Sequence, residues 1–379
     1  MKQLFLVAGE LSGDTHGAGL MRALQEFHGP VRFRGLGGPL MRAVGGEGME
    51  DWAAKAGVVG LWEVLKMYGF FKHKFEKTLS LIVEVKPDAV ILIDYPGFNL
   101  RLAEALRDRG FKERIIFYIS PQVWAWKRGR IKTMAQVLDL MICIFPFEKP
   151  LYEKSGLHTI FAGHPMVDRI KALKKDVPRE PGLVGFFPGS RANEVIRLLP
   201  TLLRAAMLIR AKLPATRFVI SAANANLKER MLKIMAASAL PEAAGWIELN
   251  NSHELMQRVE CAAVCSGTAT LEAACFGLPY VLVYKVNPIT YAVGRSVMKL
   301  KYLGIVNILA GGDVVTELVQ DDFNAECVAS ELTGFLSDPA RREALREKFA
   351  HVVSLLGEGG AYHRAADAVM ESLTAASTS

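Results

Sequence analysis

The sequence predicts two doubly wound α/β domains facing one another across a cleft, followed by a helical C-terminal tail. Three observations carry this. Apolar, strand-like runs alternate with helical patterns from one end nearly to the other, the signature of parallel sheets crossed over by helices. A charged, proline-punctuated stretch beginning at Asp168, "DRIKALKKDVPREPG", breaks the alternation once and suits a linker. The chain has 379 residues, 51% of them hydrophobic, enough to bury two ordinary cores. The expected divisions are 1–168, 169–344 and a helical tail over 345–379 that packs on an N-terminal domain, its own or a neighbour's.

In the first half, Leu4 to Ala8, Val31 to Leu36, Ala89 to Asp94, Ile115 to Ser120 and Leu140 to Phe145 read as buried strands. Helical patterns intervene over Thr15 to Phe27 and over Asn99 to Arg109, the latter stopped by Gly110. After the linker, Val184 to Phe187, Arg217 to Ser221, Ala262 to Cys265 and Tyr280 to Tyr284 are strand candidates, with helices over Val195 to Lys212 and Thr268 to Phe276. From Cys327 onward the pattern is helical, with no further strand.

Composition narrows the partners. A formal net charge of +7 favours anionic surfaces without choosing among phospholipid, nucleotide and nucleic acid. The five cysteines form no C-x-x-C pair and lie mostly in apolar segments, which points to reduced, buried thiols and a cytosolic setting. The N-terminus enters the first strand almost at once, so no cleavable export signal is expected. No apolar run reaches the roughly 18 residues of a membrane span. There is no D-x-D and no clustered His/Cys/Asp set with zinc spacing, so a bound nucleotide is expected to rely on Arg191 and helix ends, with no metal and no cofactor.

The first loop, "VAGELSGDTHGAGL", resembles a nucleotide cradle only superficially. It fits neither G-x-G-x-x-G nor a P-loop, and Glu10 and Asp14 would repel a diphosphate. Better phosphate sites lie in the second half. In "FFPGSRANEV", Gly189 admits close backbone approach, Ser190 and the helix start offer donors, and Arg191 can fork onto phosphate oxygens; the ordinary alternative is a βα loop with a solvated arginine. In "CSGTATLEAACFGLPYV", Gly267, Thr268 and Ala269 leave open backbone donors at the start of the next helix, and Glu272 can accept from ribose hydroxyls or simply sit favourably in a first helical turn.

The first half offers carboxylates and aromatics. Asp94 in "LIDYPGFN" ends a strand where catalytic groups collect, with turn capping as the competing role. Trp124 and Trp126, followed by Lys127 and Arg128, form either a sugar-stacking and phosphate-binding wall or core tryptophans beside a basic face. His164 reads more simply as a structural histidine. "LWEVLKMYGFFKHKFEKTLSLIVEV" sets Trp62, Leu65, Met67, Phe70 and Phe71 among lysines, which suits either an anionic membrane surface or a core helix with exposed lysines.

Taken together, "VAGELSGD", "IDYPGFN", "SPQVWAW", "FPFEK", "GHPMVD", "PGSRANEV", "SGTATLE" and "NILAG" resemble, in order and across nearly the whole chain, the lipid-A-disaccharide synthase family of bacterial glycosyltransferases. The chain departs from that pattern at Leu11, Gln122, Val306, Gly312 and Thr316. The resemblance implies a GT-B type fold of two facing Rossmann-like domains. It implies UDP-2,3-diacylglucosamine as donor and 2,3-diacylglucosamine 1-phosphate as acceptor, giving a β-1,6-linked disaccharide 1-phosphate and UDP. By motif, Asp94 is the general base, Arg191, Glu272 and Asn307 contact the donor nucleotide, and Ser266, Gly267 and Thr268 line its diphosphate. Glu10, Ser12, Asp14, Trp124 and Trp126 fall on the acceptor side. Trp62, Leu65, Met67, Phe70 and Phe71 become acyl-chain and membrane contacts, with the protein held peripherally on the cytoplasmic face of the inner membrane. No nucleic-acid partner is expected, and a homodimer is left open. Two other readings compete: a UDP-sugar 2-epimerase of the same fold, and a membrane-surface binding protein without catalysis.

Overall fold

The computed structural model describes residues 1–56, 68–124, 129–238, 240–297 and 301–375. The chain divides into two units, Met1–Pro165 with Leu356–Ser379, and Met166–Leu355.

Unit 1 is built on a parallel seven-stranded sheet of β1 (Gln3–Ala8), β2 (Arg32–Gly37), β3 (Met49–Asp51), β4 (Ala89–Ile93), β5 (Arg114–Tyr118), β6 (Leu140–Cys143) and β7 (Thr159–Phe161), in the order β3-β2-β1-β4-β5-β6-β7. Leu4 to Ala8 of β1 and all of β4 have no exposed surface, as strands covered by helices on both faces must. Unit 2 repeats the plan with six parallel strands: β8 (Glu180–Phe187), β9 (Arg217–Ala222), β10 (Ile247–Leu249), β11 (Val259–Cys265), β12 (Tyr280–Tyr284) and β13 (Glu317–Val319), ordered β10-β9-β8-β11-β12-β13.

The long central strands fall where the apolar runs predict. The strands β3, β7, β10 and β13 escape sequence reading because three residues carry no periodicity. Helices begin earlier than expected, at Leu11, Pro96 and Ala192, because the residues before them, Glu10, Tyr95 and Arg191, are not the usual Ser, Thr, Asp or Asn caps. The expected linker is corrected too. Met166–Leu173 is an amphipathic helix that buries Met166, Val167 and Ile170, and the unit boundary falls just before it.

The expected tail is shared between the units. Helix Pro339–Ser354 belongs to unit 2, whereas Ala361–Ala375 returns to unit 1 and lies along the helix Leu11–His28. The close approach needs Gly19, where a Cβ would come within 2.4 Å of the Tyr362 ring. Phe27 stacks on His363 with ring centroids 3.7 Å apart, His28 Nε2 meets Asp367 at 2.9 Å, and Arg364 Nε donates to the Ala162 carbonyl at 2.8 Å.

Asp14 requires a correction. Expected beside the acceptor, its side chain is instead buried, 1% exposed, and accepts from the backbone N–H groups of Gly38 at 2.8 Å, Leu40 at 3.0 Å and Met41 at 2.8 Å. It satisfies the donors opening the helix Pro39–Gly45, whose cap residue Gly38 has no side chain to do so. Asp14→Ala is expected to destabilise unit 1 by roughly 2–4 kcal/mol, since buried donors lose a charged acceptor. A drop in the thermal unfolding temperature checks this; an unchanged transition would contradict it.

Candidate functional sites at the strand-order reversal of each unit

In an open parallel sheet a crevice forms at the carboxyl ends where the strand order reverses. That point lies between β8 and β11 in unit 2 and between β1 and β4 in unit 1.

At the unit 2 reversal there is a cavity of about 300 Å³, lined by Gly189, Ser190, Arg191, Ser266, Gly267, Thr268 and Glu272, together with Phe187, Glu194, Ser221, Ser252 and Met256. Two helix N-termini open onto it, those of Ala192–Lys212 and Thr268–Cys275, each with the positive end of its dipole toward the cavity, a setting that favours an anion. Gly189, with φ of 100°, turns the chain out of β8. A Cβ there would meet Glu194 Oε2 at 2.3 Å. Glu194 reaches back to accept from Ser190 N at 3.2 Å, Arg191 N at 3.1 Å and Arg191 Nη1 at 2.9 Å, which shapes the loop as a capping box. Hydrogen bonding to Glu194 raises the pKa of Arg191 further, so the guanidinium stays charged while its side chain is 71% exposed.

Glu272 lines the same cavity with little exposure, held by an ion pair to Arg169 and by His253 Nε2 at 3.2 Å. Glu194, Arg169 and His253 were missed from sequence. The first was readable as the acid three residues after a helix cap; the other two are brought in by folding from distant elements. Asn307, expected on the donor side, is tied into its own loop. It is buried, its Oδ1 accepts from Val314 N at 2.9 Å and Val315 N at 2.8 Å, and its Nδ2 donates to the Val315 carbonyl at 2.8 Å and Glu317 Oε1 at 2.9 Å. These hydrogen bonds pin the loop that follows the helix Ile305–Ala310.

At the unit 1 reversal, Asp94 and Tyr95 leave β4 in the left-handed region, with φ of 46° and 51°. Non-glycine residues there store on the order of 1–3 kcal/mol each and persist only where the surroundings impose it. Tyr95 is held by its hydroxyl on the Ala56 carbonyl at 3.1 Å, and its ring fills the space a Cβ on Gly9 would need. The Asp94 backbone N–H donates to the Tyr118 carbonyl at 3.0 Å. Burial pushes the Asp94 carboxyl up to about 6, with the Glu10 charge adding to the rise and the Tyr95 N–H opposing it. Glu10 and Ser12 are exposed around the first turn of Leu11–His28.

The aromatic expectations divide. Trp126, Trp62, Leu65 and Met67 lie outside the described residues. Trp124 is corrected to a core residue: it is 9% exposed and donates through Nε1 to Glu148 Oε1 at 3.1 Å. Glu148, also missed from sequence, accepts from Ser120 Oγ at 2.5 Å and Phe145 N at 3.2 Å, and burial pushes its carboxyl up to about 7. Phe70 and Phe71 are half-buried and pack inward, Phe71 edge-on to Trp52 at 6.3 Å, because the helix Tyr68–Val85 covers the sheet with this face. His164 is buried, its backbone N–H on the Leu356 carbonyl at 2.9 Å. Among the described residues no group of three or more His, Cys, Asp or Glu is placed to hold a metal ion.

Comparison with known proteins places the whole chain in one family. The lipid-A-disaccharide synthetase family model matches residues 4–369. The lipid-A-disaccharide synthase of Geobacter sulfurreducens is 40% identical over 379 residues, covering 98% of this chain and 97% of its own. That of Trichlorobacter lovleyi is 41% identical over 377 residues, covering 97% of each. A crystal structure of UDP-GlcNAc 2-epimerase from Neisseria meningitidis bound to UDP-GlcNAc superposes with a TM-score of 0.61 at 11% identity, covering 98% of this chain and all of that one, which is a likeness of fold alone. With its two parallel α/β units of GT-B type, the chain belongs to the lipid-A-disaccharide synthase family of glycosyltransferases.

Proposed function

We propose that the chain transfers the sugar of UDP-2,3-diacylglucosamine to the 6-hydroxyl of 2,3-diacylglucosamine 1-phosphate, with inversion at the anomeric carbon and release of UDP. The observation that carries the reaction class is Asp94, a half-buried carboxyl at the end of β4 whose pKa is raised to about 6. Such a group is ionised near neutral pH yet basic enough to take a hydroxyl proton in the transition state. The acceptor oxygen bonds to the anomeric carbon as its proton passes to Asp94. The bond from that carbon to the β-phosphate oxygen breaks, and its electron pair leaves with UDP. Arg191 and the N-termini of Ala192–Lys212 and Thr268–Cys275 offset the charge growing on the departing diphosphate. Glu272, oriented by Arg169 and His253, accepts from the ribose hydroxyls. Glu10 and Ser12 face the acceptor sugar.

Both substrates carry acyl chains, so the reading includes peripheral attachment to the cytoplasmic face of the inner membrane. It is supported by the net charge of +7 and by the exposed Tyr68, Lys72 and Lys77 on the helix Tyr68–Val85. No helix among the described residues is long and apolar enough to cross a membrane.

The test is acceptor-dependent release of UDP from UDP-diacylglucosamine. Release without acceptor, an epimerised sugar, or no reaction would each overturn the proposal. Asp94→Asn is expected to cut turnover at least 10²- to 10⁴-fold, the usual range for a general base, with UDP affinity unchanged. Arg191→Met is expected to weaken UDP binding roughly 10- to 100-fold by calorimetry, the loss typical of a charge-assisted contact. The pH profile of kcat/KM should rise through about pH 6 as Asp94 ionises and then level off. Removing the neighbouring charge with Glu10→Gln makes that ionisation easier, so the rise should move to lower pH; a rise that stays put would separate Glu10 from Asp94.

A further inference from the structure

Asn99 has no exposed surface, and its side chain lies against the reversal point of the unit 1 sheet. Its Nδ2 donates to three backbone carbonyls: Asp94 at 2.7 Å, Ile93 at 3.3 Å and Val7 at 3.3 Å. These belong to the end of β4, the residue just after it, and the penultimate residue of β1, so one amide ties together the strand ends on both sides of the crevice. Because all three partners are acceptors, the amide can face them only through its NH2 group. An aspartate of the same shape would set oxygen against oxygen.

The residue held most closely is the one in the left-handed conformation. A non-glycine backbone reaches φ of 46° only where something outside it compensates the strain. For Asp94 the compensating hydrogen bonds are the Asn99 amide on its carbonyl and the Tyr118 carbonyl on its N–H. This twist sends the chain from β4 directly into the helix Pro96–Asp108, which carries Asn99 in its first turns, so the helix clamps the residue that precedes it.

We propose that Asn99 is a positioning residue for the transfer reaction: by pinning the Asp94 carbonyl, it fixes the direction in which the Asp94 carboxylate leaves the sheet. The proposal rests on Asp94 acting as base, and the experiment keeps the two apart. Asn99→Ser should lower turnover roughly 10- to 100-fold, the scale on which a displacement of about 1 Å disturbs a reacting group. UDP affinity, which the proposed function assigns to unit 2, should stay within about twofold of wild type, the scale of independent sites. The kcat/KM rise near pH 6 should shift, since a reoriented carboxyl changes its burial and its distance from Glu10. The decisive comparison is a double-mutant cycle: Asp94→Asn with Asn99→Ser should be no slower than Asp94→Asn alone, because Asn99 has nothing left to position. If the Asn99→Ser chain does not fold, Asn99→Thr, closer in volume and still a donor, serves in the same cycle. Losses that multiply in the double variant overturn the proposal while leaving Asp94 as base. So does an Asn99 variant with normal turnover. Near-normal turnover in Asp94→Asn alone overturns the base assignment and this inference with it.

Discussion

Parallel pairing is the constraint from which the rest of this molecule follows. Every strand in both sheets runs the same way, so every crossover must return over a face, and all carboxyl ends are left at one edge. Where successive crossovers change side, no helix covers that edge and a gap opens. In each unit polar and charged groups collect there: Arg191 and the Ser266–Thr268 turn in one, Asp94 and Glu10 in the other. The buried strands contribute rigidity, and the short segments just after them contribute chemistry.

The two reversal points are built with opposite electrostatics. Unit 2 presents helix N-termini and an arginine, a setting for phosphate; unit 1 presents two carboxylates, which disfavour phosphate and suit hydroxyl groups. Even within unit 2 a carboxylate has a constructive part. Glu194 accepts from backbone donors of the Gly189–Arg191 turn and gives that turn a defined shape. A site held in shape this way loses less conformational freedom on binding than a loose loop would.

Much of this was legible in the sequence, for physical reasons. Long apolar runs such as Ala89–Ile93 announce themselves, and Gly189, Arg191, Gly267 and Thr268 follow strands in a way that local chemistry explains. What was not legible is the commitment of individual polar side chains. Asp14 and Trp124 are residue types a binding site uses, yet folding spends them on a helix start and a buried carboxylate. The converse holds for Arg169, His253, Asn99 and Glu148, whose partners are supplied by other elements of the same unit. Sequence spacing reports which groups a segment owns; burial decides whether they are still available.

The return of Ala361–Ala375 to unit 1 has a consequence for how the molecule is made. His28 and Asp367, in contact in the folded chain, are separated by 339 positions. As the chain emerges from the ribosome, the continuous unit 2 is complete before unit 1 can seat its last helix on Leu11–His28. The first domain to be synthesised is therefore the last to be finished. Until that helix docks, the face around Gly19 and Phe27 lacks the cover that Tyr362 and His363 provide in the folded chain.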